Sequence, residues 1–407
     1  MEKAKLKVQA YEVVADLRAG VSDSDLMKKY SLSPKGLLSL YEKLVSAGLV
    51  AQSEMDERVQ HLETTVDLEE ETFPYEVTRD GILTRYKWKC KTDGWVVCTP
   101  VVSEQSVFFG SWDRYLYCVD RELGKIRWKF RTGDVVRSTP RIANDLVFFG
   151  SWDSHFYAVD AETGQEEWRY RTAGPIWSSP ALDETTVYFS SADGNLFAAE
   201  LVTGALKWKF NVGATVLNVM QSSPVVEGGT VFCGSPAGLF YAIECRTGAV
   251  KWIARTEGPV DSCPTVAQGV AYFGSADGNV YAVDAETGSE KWHFTAGRAL
   301  YSCPSVSGET VYLACAGGLF HAVDALSGEE LWRFGESSVV FTTPVVSRGV
   351  AYLGSSDHPL HALDLRTRQR LWRFQTLGAV LSTPVVRDGM IYFGSNDGNV
   401  YAVYERR

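Results

Sequence analysis

The chain has 407 residues, 45% of them hydrophobic, 36 glycines and a net charge of −10. That is ample apolar material for a large core. The acidic balance excludes a surface that wraps nucleic acid over its whole extent, and no run of eighteen apolar residues is present to insert into a membrane.

In chain order, residues 2–19 are expected as a helix. Val8, Tyr11, Val14 and Ala15 give one apolar stripe, Leu6, Val13 and Leu17 lie on the far side, and Gly20 ends it. Ser22 with Asp25 resembles a capping box and opens a second helix over 23–30. Ser33 caps a third, Pro34 takes its first turn, and Leu37, Leu38, Leu40, Tyr41, Leu44 and Val45 form its apolar side up to Gly48. Residues 1–50 are therefore expected as a small three-helix domain. This arrangement resembles the helix-turn-helix domains of bacterial regulators. The resemblance implies that Lys35, Ser39 and Lys43 would face DNA, which only this segment could contact. Its eight basic and six acidic side chains leave a net +2, so protein docking or dimerisation, DNA binding and a plain appendage all stay open. Residues 51–81 are dominated by Glu54, Asp56, Glu57, Glu63, Asp67, Glu69, Glu70, Glu71 and Glu76, and read as an acidic linker.

Residues 82–407 repeat. Trp88, Trp128, Trp168, Trp208, Trp252, Trp292, Trp332 and Trp372 recur at intervals of 40, with one of 44. A proline in a Ser/Thr/Cys-rich stretch keeps the same period, from Pro100 and Pro140 to Pro384. Each unit holds four short strand patterns separated by turns such as Asp277-Gly278 and Thr287-Gly288. Such a period with four strands reads as a propeller blade. The first unit begins with a lone tryptophan strand, 83–90, and the last lacks one. That strand is expected to complete the final blade and close an eight-bladed ring of four-stranded antiparallel sheets, which removes free edges. The eight tryptophans are expected as structural wedges between blades.

The signature Ala282-Val283-Asp284-Ala285-Glu286-Thr287-Gly288 with Lys291-Trp292 resembles the pyrroloquinoline-quinone-like propeller repeats. One branch of that family is quinone-dependent dehydrogenases, which hold the cofactor against two adjacent cysteines. No adjacent pair stands among Cys90, Cys98, Cys118, Cys233, Cys245, Cys263, Cys303 and Cys315, so no cofactor is expected. The chain is more similar to the compact non-enzymatic branch, which includes the outer-membrane assembly propeller lipoprotein. It shows neither a signal-peptide core nor a lipoprotein-like cysteine, so a cytoplasmic setting is expected. The cysteines replace small strand residues, a buried-thiol pattern. The repeated turn aspartates read as Asx turns, the histidines show no zinc spacing, and no catalytic or metal site is expected.

One column departs from the repeat. Three residues before each proline stand Val97, Arg137, Trp177, Gln221, Asp261, Tyr301, Phe341 and Leu381, in nearly constant surroundings. Arg137, Trp177, Gln221, Asp261, Tyr301 and Phe341 are candidates to line a channel mouth and grip a peptide or small ligand; tolerated variety is the alternative. Trp112 and Trp152 occupy a turn where other units carry Ala, Pro, Ser or Asn. They are candidates for a surface aromatic patch, against ordinary inter-blade packing. Three functional readings follow. The first is a non-catalytic protein-interaction scaffold with a protein or peptide partner. The second is a ligand sensor acting on DNA through residues 1–50. The third is an enzyme with its site in the channel.

Overall fold

The computed structural model describes residues 10–30, 82–83, 86–213, 222–300, 302–335 and 342–405, with isolated positions from 37 to 51. It divides into two compact units, Met1–Pro74 and Tyr75–Arg407.

In the first unit, helix α1 spans Ala10–Arg18 and α2 spans Asp23–Tyr30. Ser22 caps α2: its hydroxyl accepts the Asp25 N–H at 3.3 Å and donates to the Asp25 carboxylate at 2.7 Å. Val13, Val14, Leu17, Leu26 and Tyr30 form a core with Leu37, Tyr41 and Leu44. Val13 and Leu17 are thus buried, whereas Ala15 of the expected stripe is exposed. Asp16 joins the helices, accepting from Lys29 at 2.6 Å and from the Tyr30 hydroxyl at 2.5 Å. Only two short helices stand as elements among the described residues. The expected three-helix, helix-turn-helix-like domain is corrected accordingly. Lys35, Ser39 and Lys43, its candidate DNA contacts, lie outside the described residues.

The second unit is a ring of eight four-stranded antiparallel blades. Blades one to eight are counted from Val101. Blade five is representative, with strands Thr265–Ala267, Val270–Gly274, Asn279–Asp284 and Glu290–Thr295. Its two middle strands are buried on both faces because neighbouring blades cover them. Aromatic rings fill the seams, as where Phe240 stacks on Phe273 at 3.9 Å and Phe156 on Phe189 at 4.0 Å.

The outer-strand tryptophans each reach the following blade. The Trp252 Nε1–H donates to the Ala285 carbonyl at 3.1 Å, and its ring lies under Gly288. Gly288 has φ +74°, and a Cβ there would come within 2.5 Å of the indole. Trp88, Trp128, Trp168, Trp208 and Trp292 make the same bond to Arg121, Ala161, Leu201, Cys245 and Ala325. Around Trp332 the turn glycine gives way to Arg368, whose guanidinium sits 5.8 Å from the indole centroid. Trp372 is buried, and its Nε1 has no hydrogen-bond partner among the described residues.

The ring closes through two short strands, β1 (Ile82–Leu83) and β2 (Trp88–Lys91). β2 pairs antiparallel with Asn399–Tyr404, from Trp88 opposite Ala402 to Lys91 opposite Asn399, and completes blade eight. The expected strand over 83–90 is not continuous. β1 pairs in parallel with Arg373 and Phe374 on the outer edge of blade seven. Tyr86, between the two, packs edge-on against Phe374 and Tyr401. The closing strand therefore grips two blades.

Candidate functional site

The segment around each repeat proline lines the centre of the ring, and its burial alternates. Val260, Ser262 and Pro264 are buried, while Asp261, Cys263 and Thr265 are partly open. This is the period of two of an extended chain with one face to the channel. The inward serine extends the sheet: Ser262 Oγ donates to the Gly274 carbonyl at 2.9 Å and accepts the Gly274 N–H at 2.7 Å. Ser178, Ser382 and Thr342 make equivalent bonds, and the Cys98 thiol does so with Gly110. That explains why small Oγ or Sγ residues recur before the proline.

The channel wall has three levels. The middle one is a belt running from blade to blade. Thr99 N–H donates to Thr139 Oγ1 at 3.1 Å, Thr139 N–H to Ser179 Oγ at 3.2 Å and Ser179 N–H to Ser223 Oγ at 2.9 Å. Cys263 and Cys303 hold the same position in blades five and six, and Cys303 N–H donates to Thr343 Oγ1 at 3.2 Å. Below the belt, the residue after each proline is Val, Ala, Thr or Ser, except Arg141.

The upper level is the mouth, where Arg137, Trp177 and Asp261 stand half-buried. Gln221, Tyr301 and Phe341 lie outside the described residues. Among the described residues Arg137 has no hydrogen-bond or ion-pair partner, and burial lowers its pKa from the ordinary arginine value. Asp261 Oδ1 is buried without a partner among the described residues, and burial pushes its carboxyl up to about 6. Two opposite charges thus share the mouth without neutralising each other.

From Trp177 four indoles form an arc. Ring centroids are 4.8 Å apart for Trp95–Trp112, 5.6 Å for Trp112–Trp152 and 5.5 Å for Trp152–Trp177. Backbone bonds seat it: Trp112 N–H donates to the Trp95 carbonyl and Trp152 N–H to the Val135 carbonyl, both at 2.9 Å. The indole nitrogens of Trp112, Trp152 and Trp177 are buried with no hydrogen-bond partner among the described residues. Each such N–H costs about 1–3 kcal/mol until an acceptor reaches it. Trp95 is 47% exposed and forms the open end. The arc joins two columns treated separately in the sequence, the turn tryptophans and the mouth residue Trp177, and adds Trp95. Trp95 carried a readable signal, because its column otherwise holds Val, Pro or Ala.

Other features are structural. The carboxylate of Asp153 accepts the N–H groups of His155 and Gly133 and the Tyr157 hydroxyl, tying turn to turn. Asp113, Asp277 and Asp397 do the same. Clefts of about 350 Å³ by Ser106, Ile142 and Ala161 and about 330 Å³ by Thr230, Val266 and Ala285 are repeat-equivalent seams at the opposite end of the ring. Among the described residues no three His, Cys, Asp or Glu side chains cluster to hold a metal ion.

The family described as outer membrane protein assembly factor BamB matches residues 75–293 and 276–406, the whole ring. The chain belongs to this family. BamB from Moraxella catarrhalis superposes with a TM-score of 0.70 at 21% identity, over 78% of this chain and 98% of its own. The computationally designed Ika8 protein superposes at 0.68 and 18% identity, over 77% and 98%. A europium-containing methanol dehydrogenase gives 0.64 and 15%, over 77% and 86%. At these identities the three likenesses concern the fold. No curated protein sequence matches the chain. The family's description names outer membrane protein assembly, and it overturns the cytoplasmic setting expected from the sequence. That expectation rested on missing apolar segments, which report on insertion rather than compartment. Among the described residues no helix is long and apolar enough to cross a membrane.

Proposed function

We propose that this BamB-family ring is a non-catalytic scaffold that holds a protein partner in outer membrane protein assembly, and that the partner docks at the channel mouth. The observation that carries the reading is the four-indole arc, which ends at Trp177 in the column that also holds Arg137 and Asp261, where the arginine and Asp261 Oδ1 have no partner among the described residues. Rigid indoles and arginine are the side chains that dominate binding energy at protein interfaces. A docked segment would cover the open Trp95 end of the arc and bring countercharges to Arg137 and Asp261. A half-buried charge without a partner among the described residues is a cost in the free ring that a countercharge relieves.

The test is affinity capture from the native cell with the full-length chain and with an Arg137→Ala/Trp152→Ala double variant. The expected result is a defined outer membrane assembly protein on the native chain. Its recovery falls by roughly tenfold or more with the variant, the loss of about 1.4 kcal/mol or more of binding. Equal recovery by both chains would place docking elsewhere on the ring.

A further inference from the structure

Six cysteines, Cys90, Cys98, Cys118, Cys233, Cys245 and Cys315, are buried, and burial raises the pKa of each. Cys263 and Cys303 differ. They are half-buried and occupy the same belt position in blades five and six, where the other blades carry a hydroxyl. The belt sets each such side chain against the backbone of the preceding blade at the same position, as Thr139 Oγ1 lies 3.1 Å from Thr99 N and Thr343 Oγ1 3.2 Å from Cys303 N, so Cys263 and Cys303 are neighbours across one blade seam. The inner strands that follow them, Thr265–Ala267 and Ser305–Ser307, are direct neighbours.

Arg141, on blade two, stands on the other side of the ring from blade six, and its charge is felt by both thiols. It is the one charged residue at its level of the wall, and it has no hydrogen-bond or ion-pair partner among the described residues. Its side chain is exposed to the channel; the surrounding channel atoms lower the guanidinium pKa, and the charges of Cys263 and Cys303 act against that. Within the pair the proton is shared unequally. The neighbouring Cys303 thiol, the Ser223 hydroxyl and backbone and the Arg141 charge all favour a thiolate on Cys263, so Cys263 is held below the ordinary thiol value, and Cys303, beside that sulfur and desolvated, is pushed well above it. A cationic guanidinium favours a thiolate and opposes a metal cation, so the constellation favours nucleophilic chemistry over soft-metal binding.

We propose that Cys263 and Cys303 are a reactive dithiol of the channel that exchanges with a low-molecular-weight disulfide and closes into a bond between blades five and six. The Cys263 thiolate attacks one sulfur of the small disulfide. That S–S bond breaks, a mixed disulfide forms on Cys263, and one small thiolate leaves. Cys303 then gives up its proton and attacks the Cys263 sulfur, expelling the second small thiolate. The two protons of the dithiol pass to the two leaving groups. The protein has lost two electrons and the small disulfide has gained them. Arg141 holds the charge of the attacking sulfur and is a positioning residue.

The probe is oxidised glutathione, applied to the full-length folded protein. Intact mass should fall by two hydrogens, and peptide mapping should join Cys263 to Cys303. The Cys303→Ser variant should retain one glutathione on Cys263, and Cys263→Ser should react at Cys303 roughly tenfold more slowly or worse. Arg141→Gln should slow closure by roughly three- to tenfold, with a matching upward shift in the pH midpoint of Cys263 alkylation. Serine occupies this position in blades three and four, as Ser179 and Ser223, so the belt accepts both serine variants. Three results would overturn the proposal. One is reaction no faster than at the six buried cysteines, another is two glutathiones without a link, and the third is an Arg141→Gln rate equal to the native one. None of these readouts depends on which partner the mouth holds.

Discussion

The outer edge of the ring and its channel wall are built on opposite rules. At the edge the same tryptophan returns in each blade, and six of the eight donate the same indole bond to the next turn. On the wall the constant residues face the sheet, and those facing the channel change from blade to blade, through Val97, Arg137, Trp177 and Asp261. Stability is therefore carried by what repeats, and recognition is free to use what does not. A repeat protein separates the two tasks by radius.

The largest effect that would test this division is on closure. Deleting residues 82–91 removes β1 and β2 and leaves Asn399–Tyr404 as an open edge. Cooperative unfolding should be lost and the protein should aggregate, read by circular dichroism and light scattering. An unchanged melt would show that the ring does not depend on its seam. Next, Trp168→Ala at the edge should cost about 3–5 kcal/mol in a denaturant titration. Trp177→Ala at the mouth should cost about 1 kcal/mol or less, because the half-buried ring gives up unpaired polarity as well as contacts. Equal costs would erase the distinction between edge and mouth. Ser262→Ala, which strands the Gly274 N–H and carbonyl, should cost about 1–3 kcal/mol.

The smallest effect has the opposite sign. Between the ordinary carboxylate value of 3.8 and about 6, folded Asp261 holds a proton that the unfolded chain has released. Stability from this group is unaffected below that window, falls as pH rises through it, and stays reduced above it. Asp261→Asn should flatten that slope and stabilise the ring at neutral pH by about 1 kcal/mol, allowing for channel water. A steeper slope in the variant would mean that Asp261 is paired.

The ring was readable in the sequence because Trp and Pro mark each turn of it, and the missing tryptophan strand at one end matched the spare one at the other. The split of that strand was not readable, since a two-residue pairing such as Ile82 with Arg373 leaves no periodic trace. The mouth was readable as a column of exceptions, but not its partnerships. Trp95, Trp112, Trp152 and Trp177 come from three different columns and meet only when blades are set side by side. Arg141 escaped because the column after the proline looks like plain strand, although its charge was visible there. The thiols of Cys263 and Cys303 read as small-residue replacements, because a period of 40 hides that successive blades touch. In the first unit, patterning located α2 at the residues it occupies, but it extended to three helices where two stand among the described residues.

The seam also decides how the ring would bear mechanical load. The leading unit is tethered to the propeller through β1 and β2, so a pull on it arrives first at four backbone pairs with Asn399–Ala402 and two with Arg373 and Phe374. Stretching by an optical trap should open the ring there, as a clasp releases before a necklace breaks, with every blade from one to seven still folded at the first rupture.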